Sequence, residues 1–129
     1  MAAGAAVLAL GLTSCGGGSS SPVVAHVGHA TIDEAAVAHW TRVIQRGGGG
    51  ESALADTQGT PRQRALEFLI SSQWLLGEAA EEGIALPARL VEQRLDEQRE
   101  STPEGARAFQ ESLDATDQTT SDVQLEAKL

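Results

Sequence analysis

The most constraining feature of the sequence is a run of helix-forming residues between Thr60 and Gly83 that carries both a start and a stop signal. Thr60 is a favourable N-cap residue, Pro61 suits the first helical position, and Gln63 completes a capping box. Gly83 suits the position just after a helix end. The run predicts a helix of about 33 Å, at a rise of 1.5 Å per residue. Its apolar residues cover more than one face, which predicts a central helix that is contacted from several sides. These residues are Ala65, Leu66, Phe68, Leu69, Ile70, Trp74, Leu75, Leu76, Ala79 and Ala80.

Two shorter elements are predicted before this helix. The β-branched segment Val23–Val27 is followed by a glycine and is typical of a strand. Thr31 and Glu34 have the spacing of a capping box, which predicts a helix that begins near Ile32. The four glycines at 47–50 predict its end.

Three further helices are predicted after the long one. The third begins at Pro87, the fourth at Thr102-Pro103, and the fifth at a capping box between Ser121 and Gln124. The sequence therefore predicts a mainly α fold, with five helices and one short N-terminal β-strand. The last residues carry no cap, which predicts that the fifth helix is truncated.

Charge is distributed very unevenly along the chain. The 129 residues include 18 acidic and 9 basic side chains, a formal charge of −9, and none of them precedes Asp33. The acidic balance argues against nucleic-acid binding and against electrostatic attachment to anionic lipid. The uncharged segment begins with an apolar run at 1–12, which is too short to span a bilayer because a spanning helix needs about 20 residues. Such a run is typical of the apolar region of a secretory signal.

The last residue of this run begins the segment Leu12-Thr13-Ser14-Cys15, which resembles the lipobox of bacterial lipoproteins. In that family a diacylglyceryl group is attached to the cysteine sulfur, a further acyl chain such as palmitate is added, and the signal is cut before the cysteine. The resemblance implies a signal peptide at 1–14, a lipidated Cys15 with a flexible Gly/Ser linker at 15–22, and a folded domain at 23–129. We then expect a lipid-anchored protein on the extracytoplasmic face of the cell membrane. The alternative is an N-terminus in which Cys15 has no role.

Three segments of the folded part carry a second resemblance. They are VVAHVG at 23–28 before Ile32 and Trp40, ALEFLISSQW at 65–74 with GEAA at 77–80, and Phe109 to Leu113 with SDV at 121–123. Together they are similar to the N-terminal domain of SurA/PrsA-type foldases, in the form found in actinobacterial lipoproteins. The resemblance covers residues 22–129, and the long-helix segment is its most specific part.

This resemblance implies an extracytoplasmic chaperone domain that binds unfolded secreted or envelope proteins without ATP or another cofactor. In the family, a parvulin domain that isomerises X-Pro bonds usually follows. The sequence ends at Leu129, before such a domain, so no catalytic residue is assigned. Two alternatives stay open. The chain is a fragment of a peptidyl-prolyl cis-trans isomerase whose catalytic domain lies beyond the C-terminus, or a lipoprotein adaptor with one specific protein partner.

Four aromatic side chains are the candidate client-binding residues. Each has the helical spacing of a core residue, and the same spacing would line a groove that holds apolar client segments. The sequence leaves both interpretations open for Trp40, Phe68, Trp74 and Phe109.

No metal site is predicted. His26, His29 and His39 are few and lack a third ligand at a fixed spacing, so they are interpreted as surface and turn residues. A single cysteine also excludes an internal disulfide and a site with several thiolates.

Overall fold

The chain begins with a small β-hairpin in the computed structural model, which describes residues 21–49, 58–101 and 104–129. Strand β1, Val23–Val27, pairs antiparallel with β2, Ala30–Asp33, and their register places Ala25 opposite Ile32. Gly28 has φ +56° at the first position of the two-residue loop, as expected of a hairpin with glycine at that position. The predicted β1 is confirmed. The prediction of one strand was wrong, because β2 forms the second strand of the sheet.

Helix α1 covers Glu34–Gln45 and begins two residues later than predicted. Its N-cap is Asp33, whose Oδ1 accepts a hydrogen bond from the Ala36 backbone N–H at 2.8 Å. The Thr31–Glu34 capping box was wrong, because Thr31 lies in β2 and pairs with His26. Asp33 serves equally well as a cap, and pairing in the hairpin holds the preceding residues extended.

Ser21 and Pro22, at the end of the predicted linker, also contact the first turn of α1. The carbonyl oxygen of Pro22 accepts from the Glu34 N–H at 2.8 Å, and Ser21 Oγ accepts from the Ala35 N–H at 2.8 Å. With the Asp33 cap, three of the four N–H groups that a helix leaves unpaired at its start have partners. Hydrogen bonds to the start of α1 therefore hold the described chain in place from its first residue, Ser21. The proposed signal peptide and Cys15 lie outside the described residues.

Helix α2 covers Pro61–Glu81, and its predicted start is confirmed. Thr60 Oγ1 accepts from the Gln63 N–H, and Gln63 Oε1 accepts from the Thr60 N–H, which is the reciprocal capping box. All of its fully buried side chains lie in the first twelve residues: Ala65, Phe68, Leu69 and Ser72. The prediction that α2 is contacted from several sides was wrong for its second half, where most side chains are exposed.

Three further helices complete the described chain: α3, Ala88–Ser101; α4, Ala106–Thr116; and α5, Thr120–Glu126. The start of α3 after Pro87 is confirmed. Helix α4 begins after Gly105 rather than at Thr102-Pro103, and those two residues lie outside the described ones. Helix α5 uses the capping box of Thr119 and Asp122 rather than the predicted box, since Thr119 has the extended backbone that an N-cap needs.

The core consists of two groups of buried side chains. The first joins β2, α1 and the first half of α2, and the second joins α3, α4 and α5. Val123 of α5 belongs to the second group, whereas Leu125 packs against the first, so α5 connects them. The first group comprises Ile32, Val37, Trp40, Val43, Ile44, Ala65, Phe68 and Leu69; the second comprises Leu95, Phe109, Leu113 and Val123. The described residues form a mainly helical fold with five helices and a two-stranded antiparallel sheet.

Candidate functional site

A groove of about 550 Å³ separates the hairpin turn from the second half of α2. One wall is formed by the turn residues Val27, Gly28, His29 and Ala30. The other wall is a face of α2, formed by Gln73, Trp74, Leu76, Gly77, Glu78, Ala80 and Glu81. The groove exists because α2 continues beyond its last buried residue and runs past the tip of the short hairpin.

Trp74 is the most conspicuous side chain of this groove, since 59% of its surface is exposed. A tryptophan usually contributes its large apolar ring to a core or an interface. Ile70, one turn before it on α2, is exposed as well. An exposed indole beside a concave apolar wall is typical of a surface that binds another molecule.

Exposed apolar side chains continue along the chain after the groove. Leu75 lies on α2, Ile84 and Leu86 lie in the segment between α2 and α3, and Leu90 lies in the first turn of α3. Ile84 is 62% exposed, more than any other large apolar side chain of the described residues. None of these four side chains lines the groove.

The α2 wall of the groove is acidic. Glu78 and Glu81 line it, and Glu82 follows at the helix C-cap. No Lys or Arg occurs in the sequence between Arg64 and Arg89. Among the described residues, none of the three glutamates takes part in an ion pair, so their charges face solvent.

The other three candidate aromatics lie in the core rather than in the groove. Trp40, Phe68 and Phe109 are each at most 5% exposed. The rings of Trp40 and Phe68 are tilted by 45° with centroids 4.3 Å apart, and they join α1 to α2. The Arg99 guanidinium lies 5.4 Å above the Phe109 ring and covers it from α3. Of the four candidates, Trp74 alone is placed where another molecule could reach it.

Ionic contacts join α1 to the segment between α4 and α5. Asp117 accepts a hydrogen bond from Arg42 Nε at 2.9 Å, and Arg46 Nη1 lies 3.6 Å from the same carboxylate. The hydrogen bond from Arg42 and the charge of Arg46 hold the pKa of Asp117 below its ordinary value of 3.8. These contacts hold helices together and lie away from the groove lining.

A similar ion pair joins the starts of α1 and α2. Both carboxylate oxygens of Glu34 accept from the guanidinium of Arg62, with 2.8 Å between Nη2 and Oε2. This hydrogen bonding lowers the pKa of Glu34 from its ordinary value of 4.5.

The histidines do not converge on a common point. His39 Nε2 lies 2.9 Å from Asp122 Oδ2, and His26 Nδ1 lies 3.4 Å from the Thr31 hydroxyl. His29 lies in the hairpin turn at the edge of the groove. In the described ranges, no group of three or more His, Cys, Asp or Glu side chains is arranged to hold a metal ion.

Sequence reasoning placed Trp74 among the candidates but missed the wall opposite it. That wall required the second strand, which returns the chain next to β1 and places Gly28 and His29 at the tip. The signal was present as two β-branched segments on either side of a Gly-X pair, which is a hairpin pattern.

Comparison with known proteins provides no relative, since no protein family, curated protein or solved structure was found to match this chain. Among the helices at 21–49, 58–101 and 104–129, none is both long enough and apolar enough to cross a membrane.

Proposed function

We propose that this chain is a lipid-anchored, extracytoplasmic chaperone domain that binds apolar segments of unfolded secreted or envelope proteins without ATP. The observation that carries the proposal is the exposed Trp74 on the wall of the groove between the hairpin turn and α2. The similarity to SurA/PrsA-type N-terminal domains and the lipobox-like Leu12-Thr13-Ser14-Cys15 supply the cellular setting of the proposal.

The shape of the groove suits an extended or helical apolar segment. It is open, and its walls combine the aromatic ring of Trp74 with small groups such as Ala30, Gly77 and Ala80. Small residues let a bound chain approach closely, while an exposed aromatic ring supplies area to bury. Two further depressions, of about 420 and 340 Å³, lie along α3, the second also next to Gln124 of α5, and both are lined mainly by charged and polar side chains. The groove beside Trp74 is therefore better suited to apolar segments than either of these two depressions.

An aggregation assay tests the chaperone activity. We expect the 129-residue chain, in molar excess, to slow the aggregation of a chemically denatured client after dilution. Trp74→Ala should weaken client binding by about tenfold, since burying a large apolar side chain contributes about 1.5–3 kcal/mol. Leu90→Ala is the matched control, because it also truncates an exposed apolar side chain on a helix but lies outside the groove.

The result also separates the proposed function from the adaptor alternative. If the wild-type chain does not slow aggregation of several unrelated clients, chaperoning is wrong, and an adaptor with one partner becomes the better hypothesis. If Trp74→Ala and Leu90→Ala weaken binding equally, the groove is not the client site.

Membrane attachment has a separate test. Expressed in a bacterium, the chain should partition into the detergent phase, and Cys15→Ala should move it to the aqueous phase. Mass spectrometry of the wild-type N-terminus should show an acylated Cys15. A wild-type chain with an unmodified Cys15 would remove the anchor from the proposal and leave the groove unaffected.

A further inference from the structure

We propose that the groove beside Trp74 prefers apolar segments that also carry Lys or Arg over apolar segments flanked by Asp or Glu. This inference rests on the proposed function, and it adds the charge of the bound segment to its apolar character.

The charge of the groove walls supports this preference. Glu78 and Glu81 line the groove, Glu82 lies next to it at the C-cap of α2, and no lysine or arginine belongs to either wall. These carboxylates have no ion-pair partner among the described residues, so a bound cation would not have to displace one. A positively charged segment would therefore find complementary charge beside the apolar surface.

The C-terminal end of α2 adds to the negative electrostatic potential of the groove. The last carbonyl groups of a helix carry partial negative charge, which basic side chains usually offset. The last turn of α2 contains no basic residue and instead contains glutamates. Acidic residues at a helix C-terminus are unfavourable, and no contact in the described chain compensates for these glutamates. Such departures from local sequence preferences are expected at functional sites. A cation supplied by a bound segment would offset both the helix end and the glutamates.

Trp74 links the apolar and ionic parts of the site. The face of an exposed indole attracts a guanidinium or ammonium group that lies above it. Because Trp74 and Glu78 are four residues apart on α2, they lie one turn apart on the same side of the helix. An arginine next to an apolar residue could contact the ring and the carboxylate together.

Two peptides that differ only in charge test the preference. Both have the same apolar centre without tryptophan, one with flanking lysines and one with flanking glutamates. Binding is followed by the fluorescence of a dye on each peptide, at low ionic strength. We expect the 129-residue chain to bind the lysine peptide roughly fivefold more tightly than the glutamate peptide, as two exposed ion pairs would give. Added salt should reduce the difference, because exposed charges are screened.

Two double variants test whether the groove glutamates cause the preference for the lysine peptide. Glu78→Gln with Glu81→Gln should reduce the difference between the two peptides to within about twofold, as loss of two exposed ion pairs implies. Glu67→Gln with Glu92→Gln removes the same charge from two exposed positions outside the groove and should leave the preference unchanged. Circular dichroism verifies that both double variants keep their helix content.

The outcomes separate the inference from the proposed function. If both peptides bind equally and Trp74→Ala weakens both, the groove binds apolar segments and the charge preference is wrong. If the preference persists in the Glu78/Glu81 double variant, the cation is recognised elsewhere and the inference is overturned. If neither peptide binds and the chain does not slow client aggregation, the proposed function itself fails.

Discussion

His39 on α1 and Asp122 on α5 are 83 residues apart in the sequence, yet Nε2 of the histidine lies 2.9 Å from Oδ2 of the aspartate. The same Oδ2 accepts from the backbone N–H and the hydroxyl of Thr119, at 2.6 and 2.8 Å. One carboxylate therefore completes the capping box of α5 and holds this helix against α1. Since α5 packs on both groups of core residues, this contact positions the element that connects them.

Removing this carboxylate should destabilise the fold. We expect Asp122→Ala to lower the free energy of unfolding by about 1–2 kcal/mol, because it removes the N3 carboxylate of the capping box and leaves His39 without its partner. His39→Ala should cost less, since the cap remains. Urea unfolding of both single variants and of the double variant gives the coupling energy, which we expect to be about 0.5–1 kcal/mol. A coupling energy of zero would show that the two side chains do not stabilise each other in solution.

The ion pairs of Asp117 and Glu34 predict how stability depends on pH. Both carboxyl groups have a lower pKa in the folded chain than their ordinary values of 3.8 and 4.5. The unfolded chain therefore binds protons first as the pH falls, so the stabilisation is complete above about pH 5 and is lost on further acidification. Urea midpoints measured between pH 6 and the acid limit of folding should decrease across that window.

The variant Asp117→Asn, measured over the same range, should show a smaller decrease. Asp114→Asn is the matched control, because Asp114 lies in the last turn of α4, just before Asp117, and accepts from Gln110 rather than from an arginine. An identical acid dependence in wild type and Asp117→Asn would contradict the role assigned to Arg42.

Gly48 lies where the end of α1 meets the end of α4, with no room for a side chain. A Cβ at this position would lie 2.8 Å from Val43 Cγ1 and 2.9 Å from Thr116 Cβ. Val43 is fully buried and cannot move away easily. We expect Gly48→Ala to lower the free energy of unfolding by about 1–3 kcal/mol, the usual cost of overpacking, in thermal or urea unfolding.

Gly77 provides the opposite case in the interior of α2. A Cβ there would meet no atom within 4 Å. We expect Gly77→Ala to raise the free energy of unfolding by about 0.5–1 kcal/mol, since alanine favours the helix and reduces the freedom of the unfolded chain. A loss of stability in Gly77→Ala would contradict the open groove wall described for this residue.

Truncating the two tryptophans should affect the free energy of unfolding to very different extents. Trp40 is 3% exposed and its ring packs against that of Phe68, so Trp40→Ala should lower the free energy of unfolding by about 3–5 kcal/mol. Trp74→Ala should change stability by less than about 1 kcal/mol, because its ring is mostly in solvent. In the wild type, acrylamide should quench the fluorescence of Trp74 and leave that of Trp40 largely unquenched. Equal sensitivity of stability to the two substitutions would contradict the exposed placement of Trp74.

The parts of this fold that local sequence specifies could be predicted. Thr60, Pro61 and Gln63 start α2 through contacts among themselves, so no knowledge of the rest of the chain was needed. The strand β1 and the start of α3 after Pro87 were predictable for the same reason.

The parts of the fold that depend on contacts between distant residues could not be predicted from the sequence. Thr31 and Asp33 are both good caps, and the choice depends on pairing between β1 and β2. Phe68 and Trp74 have similar helical spacing, but the hairpin and α1 cover Phe68 and leave Trp74 in solvent. The groove forms because α2 extends beyond the elements that pack against it. The spacing of apolar residues along the sequence does not show where those elements end.

The unequal burial along α2 also determines how its backbone opens. The half that ends at Ser72 is fixed by packing, so we expect its amide hydrogens to exchange with solvent only when the core opens. Residues 73–81 contain no buried side chain, so we expect their amides to exchange through local fraying of the helix end. A segment bound beside Trp74 would pack against this fraying half and slow its exchange, while the first half would exchange as before. The second half of α2 would thereby gain order from its client, at the same time as it shields the client from aggregation.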